Sequence, residues 1–181
     1  MPNRACHDMR EGIQMQEKAQ IPSIQNHRKL YSIFHLVNLM SLHSVLDFGS
    51  SLARGTMFSR RYWRNHQEHI DISQEVRLDT FDVFGVCKFP VYRQLYDNIY
   101  CELEKALATT YDMVAFVDIL PFIDEDVFLS LCSLFCSHCS LLLIQVPTES
   151  EFAPEKLYKL GRCVRTSIVT YDYMVIWTNN N

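Results

Sequence analysis

The feature that most constrains the fold is an alternation of short apolar runs with segments of helical periodicity. Apolar runs lie at 44–48, 112–118 and 140–146, and each is bounded by polar residues, glycine or proline. This pattern is typical of strands that are buried on both faces. Apolar residues recur at helical spacing in the intervening and flanking segments 28–42, 90–108 and 127–135. Because parallel strands need helical crossovers, the order predicts a mostly parallel α/β sheet.

Further strands are expected at 69–72 and 76–86. A short helix is expected at 154–160, with Gly161 as its C-cap. The chain then holds two β-rich runs at 163–170 and 173–178, joined by a tight link at Tyr171 and Asp172. Two such runs predict an antiparallel hairpin, which places one antiparallel strand near the edge of the sheet.

Composition indicates one globular domain, since the chain has 181 residues, of which 48% are hydrophobic, and a formal charge of −4. Residues 1–27 are polar and predict a flexible leader, whereas 28–181 predict the folded domain. The acidity excludes binding of nucleic acid by bulk positive charge. There is no signal-peptide pattern and no apolar run of the ~20 residues that a membrane helix needs. We therefore expect a soluble cytoplasmic protein.

A turn of small residues follows the first predicted strand. Asp47 and Gly49 end that strand, and Ser51 and Ala53 continue the turn. Small residues let a ligand approach the backbone closely. Asp71 ends the next predicted strand, and a carboxylate there can accept hydrogen bonds from both hydroxyls of a ribose. The combination indicates a cofactor of the nucleoside type.

This turn resembles the first motif of the class I S-adenosylmethionine-dependent methyltransferases, which reads acid-x-Gly-x-Gly-x-Gly. Asp47, Gly49, Ser51 and Ala53 occupy its positions, although serine and alanine replace two glycines. The resemblance implies a Rossmann-like seven-stranded, mostly parallel sheet with an antiparallel C-terminal hairpin strand and helices on both faces. It also implies that the cofactor is S-adenosyl-L-methionine.

Other segments extend the resemblance. Asp71 matches the family's ribose-binding acid, and 111–123 is similar to its fourth-strand motif, which implies that Asp118 faces the methionine moiety and the substrate. Recognition of adenine would fall to the end of the third strand. Asp82 is the candidate there, with Asp79 as an alternative and with neither residue as the remaining possibility.

The acceptor side offers two groups of candidates. Arg54, Arg60 and Arg61 lie close together with aromatic neighbours and no acid, a pattern that can hold RNA through phosphate contacts and base stacking. The alternative is a solvated helix face. Phe122, together with Phe116 and Phe152, is a candidate for an apolar acceptor pocket, and any of the three is equally compatible with the core.

A dense group of thiols raises the question of a metal site. The group consists of Cys132, Cys136, His138 and Cys139. Zinc needs four ligands in a tetrahedral array, and no second ligand pair stands at a typical spacing. Small apolar core residues are the simpler interpretation, so no metal site is predicted.

Taken together, these features predict a methyltransferase. The short domain is similar to the minimal cap guanine-N(7) methyltransferases of RNA viruses, which implies transfer to capped RNA by a monomer. No Asn-Pro-Pro-Tyr motif for methylation of DNA adenine is present, and no catalytic residue is assigned. Alternatives are a protein or small-molecule methyltransferase, or a non-catalytic binding module with this fold.

Overall fold

The structure, a computed structural model, describes residues 42–49, 76–83, 85, 88, 90–93, 96–117, 119–147, 150–168 and 171–178. The predicted leader at 1–27 and the predicted helix at 28–42, except for its last residue, lie outside these residues. Within them, no helix is both long enough and apolar enough to cross a membrane.

The described elements follow one another in this order: β1 (Ser44–Phe48), β2 (Arg77–Phe81), α1 (Pro90–Arg93), β3 (Asn98–Tyr100), α2 (Leu103–Leu107), β4 (Tyr111–Phe116), a 3-10 turn (Leu120–Phe122), α3 (Glu125–Phe135), β5 (Cys139–Pro147), a 3-10 helix (Pro154–Leu160), β6 (Gly161–Ile168) and β7 (Tyr171–Thr178). Asp124 precedes the acidic first turn of α3, where negative charge complements the helix dipole.

The strands form one seven-stranded sheet in the order β3-β2-β1-β4-β5-β7-β6. Strands β1 to β5 pair in parallel, whereas β7 lies antiparallel between β5 and β6. The predicted fold class, a mostly parallel α/β sheet with an antiparallel C-terminal hairpin strand, is confirmed.

The strand beside β1 differs from the prediction. The neighbours of β1 are β2 and β4, so the place expected for 69–72 is occupied by Arg77–Phe81, within the predicted third strand. The segment 69–72 itself lies outside the described residues. As a result, Asp82 follows the second strand of the sheet rather than the third.

The single helix predicted over 90–108 is wrong. In its place, the structure has α1, then the short strand β3, then α2. Asp97 explains the break, because its backbone N–H donates to the Leu78 carbonyl at 2.7 Å while its carboxylate accepts from the Leu78 N–H at 2.9 Å. Pairing with β2 therefore overrides the four-residue apolar spacing of this segment.

The C-terminal hairpin is confirmed with a different turn. Tyr171 and Asp172 belong to β7, where they pair with Ile168 and Ser167, so the link lies at 169–170, outside the described residues. The helix at 154–160 is also confirmed, as a 3-10 helix. Gly161 is the C-cap of this helix, as predicted, and its backbone is extended, with φ 162°. It opens β6 directly, where a side chain would meet the neighbouring strand.

Aromatic and aliphatic residues form the core on one face of the sheet. Phe48 and Phe116 are at most 2% exposed, and their ring centroids lie 5.0 Å apart. Phe128 and Phe135 of α3 pack on this pair, with centroid distances of 5.5 and 6.0 Å to Phe116. The intervening strand residues are buried too, including Val45, Met113, Ala115, Leu141 and Leu143. Both faces of the central strands are therefore covered, as a parallel sheet requires.

Replacement of Gly161 by alanine is expected to destabilise the hairpin. The added Cβ would lie well inside van der Waals distance of the Trp177 carbonyl oxygen, which is backbone and has no freedom to move away. We expect the free energy of unfolding to fall by about 3 kcal/mol, at the upper end of the cost of overpacking. Urea denaturation measures this loss.

Gly85→Ala is the matched control. Gly85 has φ +64°, and no atom lies within 4 Å of the place that a Cβ would take, so alanine meets only the backbone penalty of about 1–2 kcal/mol. Equal losses for the two variants would contradict the steric account of Gly161.

Candidate functional site

The candidate site lies at the carboxyl edge of the parallel strands. In an open α/β sheet, ligands collect at this edge where the strand order reverses. Here the order reverses at β1, because the chain continues from β1 to β2 on one side and returns with β4 on the other. Gly49, Asp82 and Val117 directly follow β1, β2 and β4, so the turn, the acid and the acceptor-side loop leave the same edge.

The turn after β1 needs a glycine at its first position. Gly49 has φ 91°, in the left-handed region that side chains disfavour, and it is buried. Its N–H donates to the Phe81 carbonyl at 2.8 Å, which ties the turn to the end of β2. The first glycine of the predicted motif is therefore required by backbone geometry.

Asp47 is completely buried, and a tyrosine holds its carboxylate. The Tyr96 hydroxyl donates to Asp47 Oδ2 at 2.5 Å. The Thr80 hydroxyl donates to the main-chain oxygen of Asp47 at 2.8 Å, which locks β1 to β2 at this level. Sequence analysis did not identify Tyr96 as a site residue, because it lies within the segment 90–108 that the apolar spacing assigned to one helix.

Asp82 directly follows β2, at the carboxyl edge of the parallel strands. Its backbone N–H donates to the Tyr100 carbonyl at 2.9 Å, so the end of β2 is anchored to β3. The residue is half-buried. It follows the strand that pairs directly with β1, which is the position that the sequence predicts for Asp71.

Asp79 has a structural role instead. It is fully buried, and it accepts hydrogen bonds from Asn98 at 2.9 Å, Tyr111 at 3.3 Å and Tyr100 at 3.4 Å. The Arg77 guanidinium lies 3.4 Å from the same carboxylate. Burial, reinforced by hydrogen bonding and by the charge of Asp79, raises the pKa of Tyr111. Four partners from within the fold therefore surround the Asp79 carboxylate.

Several predicted site residues lie outside the described residues. They are Ser51, Ala53, Asp71, Asp118, Arg54, Arg60 and Arg61. Their assignments to cofactor or substrate stay predictions.

A cavity of about 400 Å³ lies beyond the ends of β4 and β5. Its lining residues come from the 3-10 turn, the start of α3 and the segment after β5: Leu120, Pro121, Ile123, Glu125, Pro147, Ser150, Glu151 and Phe152. Ligand pockets commonly measure ~300–1,000 Å³, so this volume suits a small molecule or a single side chain.

The three candidate phenylalanines divide between the cavity and the core. Phe152 lines the cavity, whereas Phe116 is fully buried among core rings. Phe122 is half-buried in the 3-10 turn, where its N–H donates to the Ile119 carbonyl at 2.9 Å. Its neighbours Pro121 and Ile123 line the cavity, but Phe122 is not among the lining residues.

The cysteine cluster belongs to the core. Cys132 and Cys139 are buried beside the rings of α3, and Cys136 is partly buried against them. Burial raises the pKa of the Cys139 thiol to about 12 and raises the pKa values of Cys132 and Cys136. Among the residues that the structure describes, no three His, Cys, Asp or Glu side chains are grouped so that they could hold a metal ion.

Comparison with protein-family models finds no match, and comparison with curated proteins finds none either. Solved structures do match. An O-methyltransferase family protein from Burkholderia thailandensis has a TM-score of 0.59, with 9% identity over 85% of this chain. The 16S rRNA methylase RmtB has a TM-score of 0.56, with 17% identity over 84% of this chain. Magnesium protoporphyrin IX methyltransferase from Synechocystis PCC 6803 has a TM-score of 0.59, with 11% identity over 97%.

The similarity establishes the fold. The chain spans 56% and 63% of the first two proteins and 94% of the third. The chain thus has the class I fold of S-adenosylmethionine-dependent methyltransferases, with the strand order that places the two central β-α turns at one edge. The porphyrin methyltransferase is seen with bound S-adenosylmethionine and with bound S-adenosylhomocysteine.

Tyr96→Phe is expected to cost about 1.5–3 kcal/mol of folding stability, because it removes the hydroxyl that donates to a fully buried carboxylate. Tyr158→Phe is the control, since Tyr158 is 47% exposed and its hydroxyl reaches no buried carboxylate in the described part of the chain. That variant should stay within about 0.5 kcal/mol of the parent. Similar urea midpoints for both variants would show that Tyr96 does not stabilise Asp47.

Thiol reactivity should separate the core cysteines from the exposed Cys101. The thiolate is the reactive form, and a thiol with a pKa of about 12 is almost wholly protonated at neutral pH. We expect iodoacetamide to modify Cys101 at least about a hundredfold faster than Cys139 in the folded protein. Mass spectrometry of peptides measures both rates, with the urea-unfolded protein as control. Equal rates in the folded protein would contradict the burial of the cluster.

Proposed function

We propose that the protein transfers a methyl group from S-adenosyl-L-methionine to an acceptor bound beyond β4 and β5. The observation that carries the proposal is the arrangement at the carboxyl edge of the parallel strands. There, the positive-φ Gly49 follows β1 and the half-buried Asp82 follows β2, in a sheet with the class I methyltransferase fold. S-adenosylmethionine, when bound, supplies an electrophilic methyl group on a sulfonium.

Asp82 fits the ribose of such a cofactor. Two hydroxyls of a ribose need two acceptor atoms, and a carboxylate offers both in one plane. Asp82 keeps its backbone N–H in a hydrogen bond to Tyr100, so its position at the end of β2 is fixed. We assign the ribose contact to Asp82 because it follows the strand beside β1, the position of the family's ribose-binding acid.

Asp47 favours a cationic ligand at the turn. Its carboxylate lies in the interior, where solvent screens charge weakly, and Tyr96 fixes one of its oxygens. An ionised carboxylate at this position attracts the cationic amino-acid portion of S-adenosylmethionine and repels a pyrophosphate. This charge distinguishes the proposal from a dinucleotide-binding site on the same kind of sheet.

Two classes of methyl acceptor are candidates, namely capped RNA and a small molecule. The sequence indicates capped RNA as the acceptor, through Arg54, Arg60 and Arg61, and one structural neighbour is an rRNA methylase. Another neighbour acts on a porphyrin, according to its name. Within the described residues, the acceptor side consists of the apolar cavity and its acidic rim.

Asp82→Ala is expected to weaken S-adenosylmethionine binding by roughly tenfold or more, because a hydrogen bond to a charged group contributes ~1.5–3 kcal/mol. The same titration with Asp71→Ala tests the sequence-based prediction that Asp71 binds the ribose. We expect Asp71→Ala to change the dissociation constant less than Asp82→Ala does. Isothermal titration calorimetry measures both dissociation constants.

Asp126→Ala serves as the matched control, since Asp126 is exposed on the first turn of α3 and does not line the cavity. A tenfold loss for Asp71→Ala with none for Asp82→Ala would reverse the assignment of the ribose contact. Failure of the folded parent protein to bind the cofactor would favour the non-catalytic alternative.

A further inference from the structure

The walls of the acceptor-side cavity are mostly apolar. Leu120, Pro121 and Ile123 line it from the segment after β4, and Pro147 and Phe152 line it from the segment after β5. Phe152 and Ile123 are each 8% exposed, so these walls are part of the packed structure. An apolar ligand surface of small size therefore fits this cavity.

The loop after β5 holds its own polar groups. The Ser150 N–H donates to the Pro147 carbonyl at 2.9 Å, and the Ser150 hydroxyl accepts from the Phe152 N–H at 3.1 Å. The Ser150 hydroxyl oxygen thus accepts one hydrogen bond within the loop. The charged side chains among the lining residues are the two carboxylates of Glu125 and Glu151.

The two carboxylates differ in their neighbours. Glu125 forms an ion pair with Lys156, and hydrogen bonding to Glu125 raises the pKa of that lysine. Glu151 is exposed at the rim, and within the described part of the chain no basic side chain lies in ion-pair distance of it. Among the described lining residues, Glu125 is therefore paired with a lysine, whereas Glu151 is a carboxylate without an ion-pair partner.

We infer that the cavity takes an apolar small molecule with a basic nitrogen, and that Glu151 supplies the countercharge. The inference rests on the proposed function, since it names the acceptor class for that methyl transfer. A carboxylate at the rim of an apolar cavity attracts an ammonium and repels a phosphate. The volume of about 400 Å³ lies within the ~300–1,000 Å³ that small-molecule pockets commonly measure.

Three indoles that share one ring and differ in charge test the inference: tryptamine, tryptophol and indole-3-propionate. Each is titrated calorimetrically into the full chain, with and without saturating S-adenosylhomocysteine. We expect tryptamine to bind at least about tenfold more tightly than indole-3-propionate, with tryptophol between them. Lack of tryptamine binding, or tighter binding of the carboxylate, would overturn the inference.

Glu151→Gln isolates the countercharge. We expect it to lower the affinity for tryptamine relative to tryptophol about threefold, the scale of an exposed ion pair. Glu155→Gln is the matched control, because Glu155 is exposed on the next segment and does not line the cavity. For Glu155→Gln, the ratio of the tryptamine affinity to the tryptophol affinity should equal that of the parent. An equal fall of this ratio in both variants would assign the effect to the overall charge of the protein and contradict the inference.

Failure of the inference and failure of the proposed function are distinguishable. Absence of S-adenosylhomocysteine binding in the same titrations would contradict the methyltransferase proposal. The titrations of the three indoles without cofactor would still measure whether the cavity prefers a cation. Cofactor binding without a preference for the cation would contradict the acceptor class alone. A capped RNA oligonucleotide is also added to the tryptamine complex as a competitor. Displacement of tryptamine, together with an affinity for the RNA that Glu151→Gln does not lower, would establish RNA as the acceptor and overturn the inference.

Discussion

Compensation of buried carboxylates is the constraint on which the described structure depends. Asp79 lies fully buried in the middle of β2, and an ionised group in that position needs donors from its surroundings. Asn98 and Tyr100 of the edge strand β3 supply two of them, and Tyr111 at the start of β4 supplies a third. A strand of three residues is thereby fixed to the sheet by its side chains as well as by its backbone.

The same constraint connects the edge strand to the candidate site. Tyr96 immediately precedes Asp97 and β3, so the pairing of β3 with β2 also sets the position of the hydroxyl that reaches Asp47. Asp47 precedes Phe48 and the positive-φ Gly49. The acid of the first strand, the turn that follows it and the edge strand therefore form one connected unit, although the chain separates Tyr96 from Asp47 by 49 positions.

The two ends of the central strands are built differently. At the amino end, Asp112 accepts hydrogen bonds from the His43 and Ser44 N–H groups at 2.7 and 2.9 Å, which closes β1 against β4. At the carboxyl end, the strands lead into Gly49, Asp82 and the cavity. The His43 and Ser44 N–H groups at one end are satisfied within the protein, while the other end is the edge at which open α/β sheets collect ligands.

What the sequence determined by itself is the alternation of elements, the buried central strands, the C-terminal hairpin and the glycine turn beside Asp47. Burial periodicity and backbone preference are local properties, and residues a few positions apart express them. Tertiary structure alone decided that Arg77–Phe81 pairs with β1, so that Asp82 follows the strand beside β1, and that Asp79 is buried among donors from β3 and β4. It also decided that Phe152 rather than Phe122 lines the cavity and that Tyr96 holds Asp47. Those outcomes depend on contacts between residues that are far apart in the sequence. The four-residue apolar spacing in 90–108 is compatible with a helix, and it does not show that Asn98 and Tyr100 donate to the buried Asp79 from a strand.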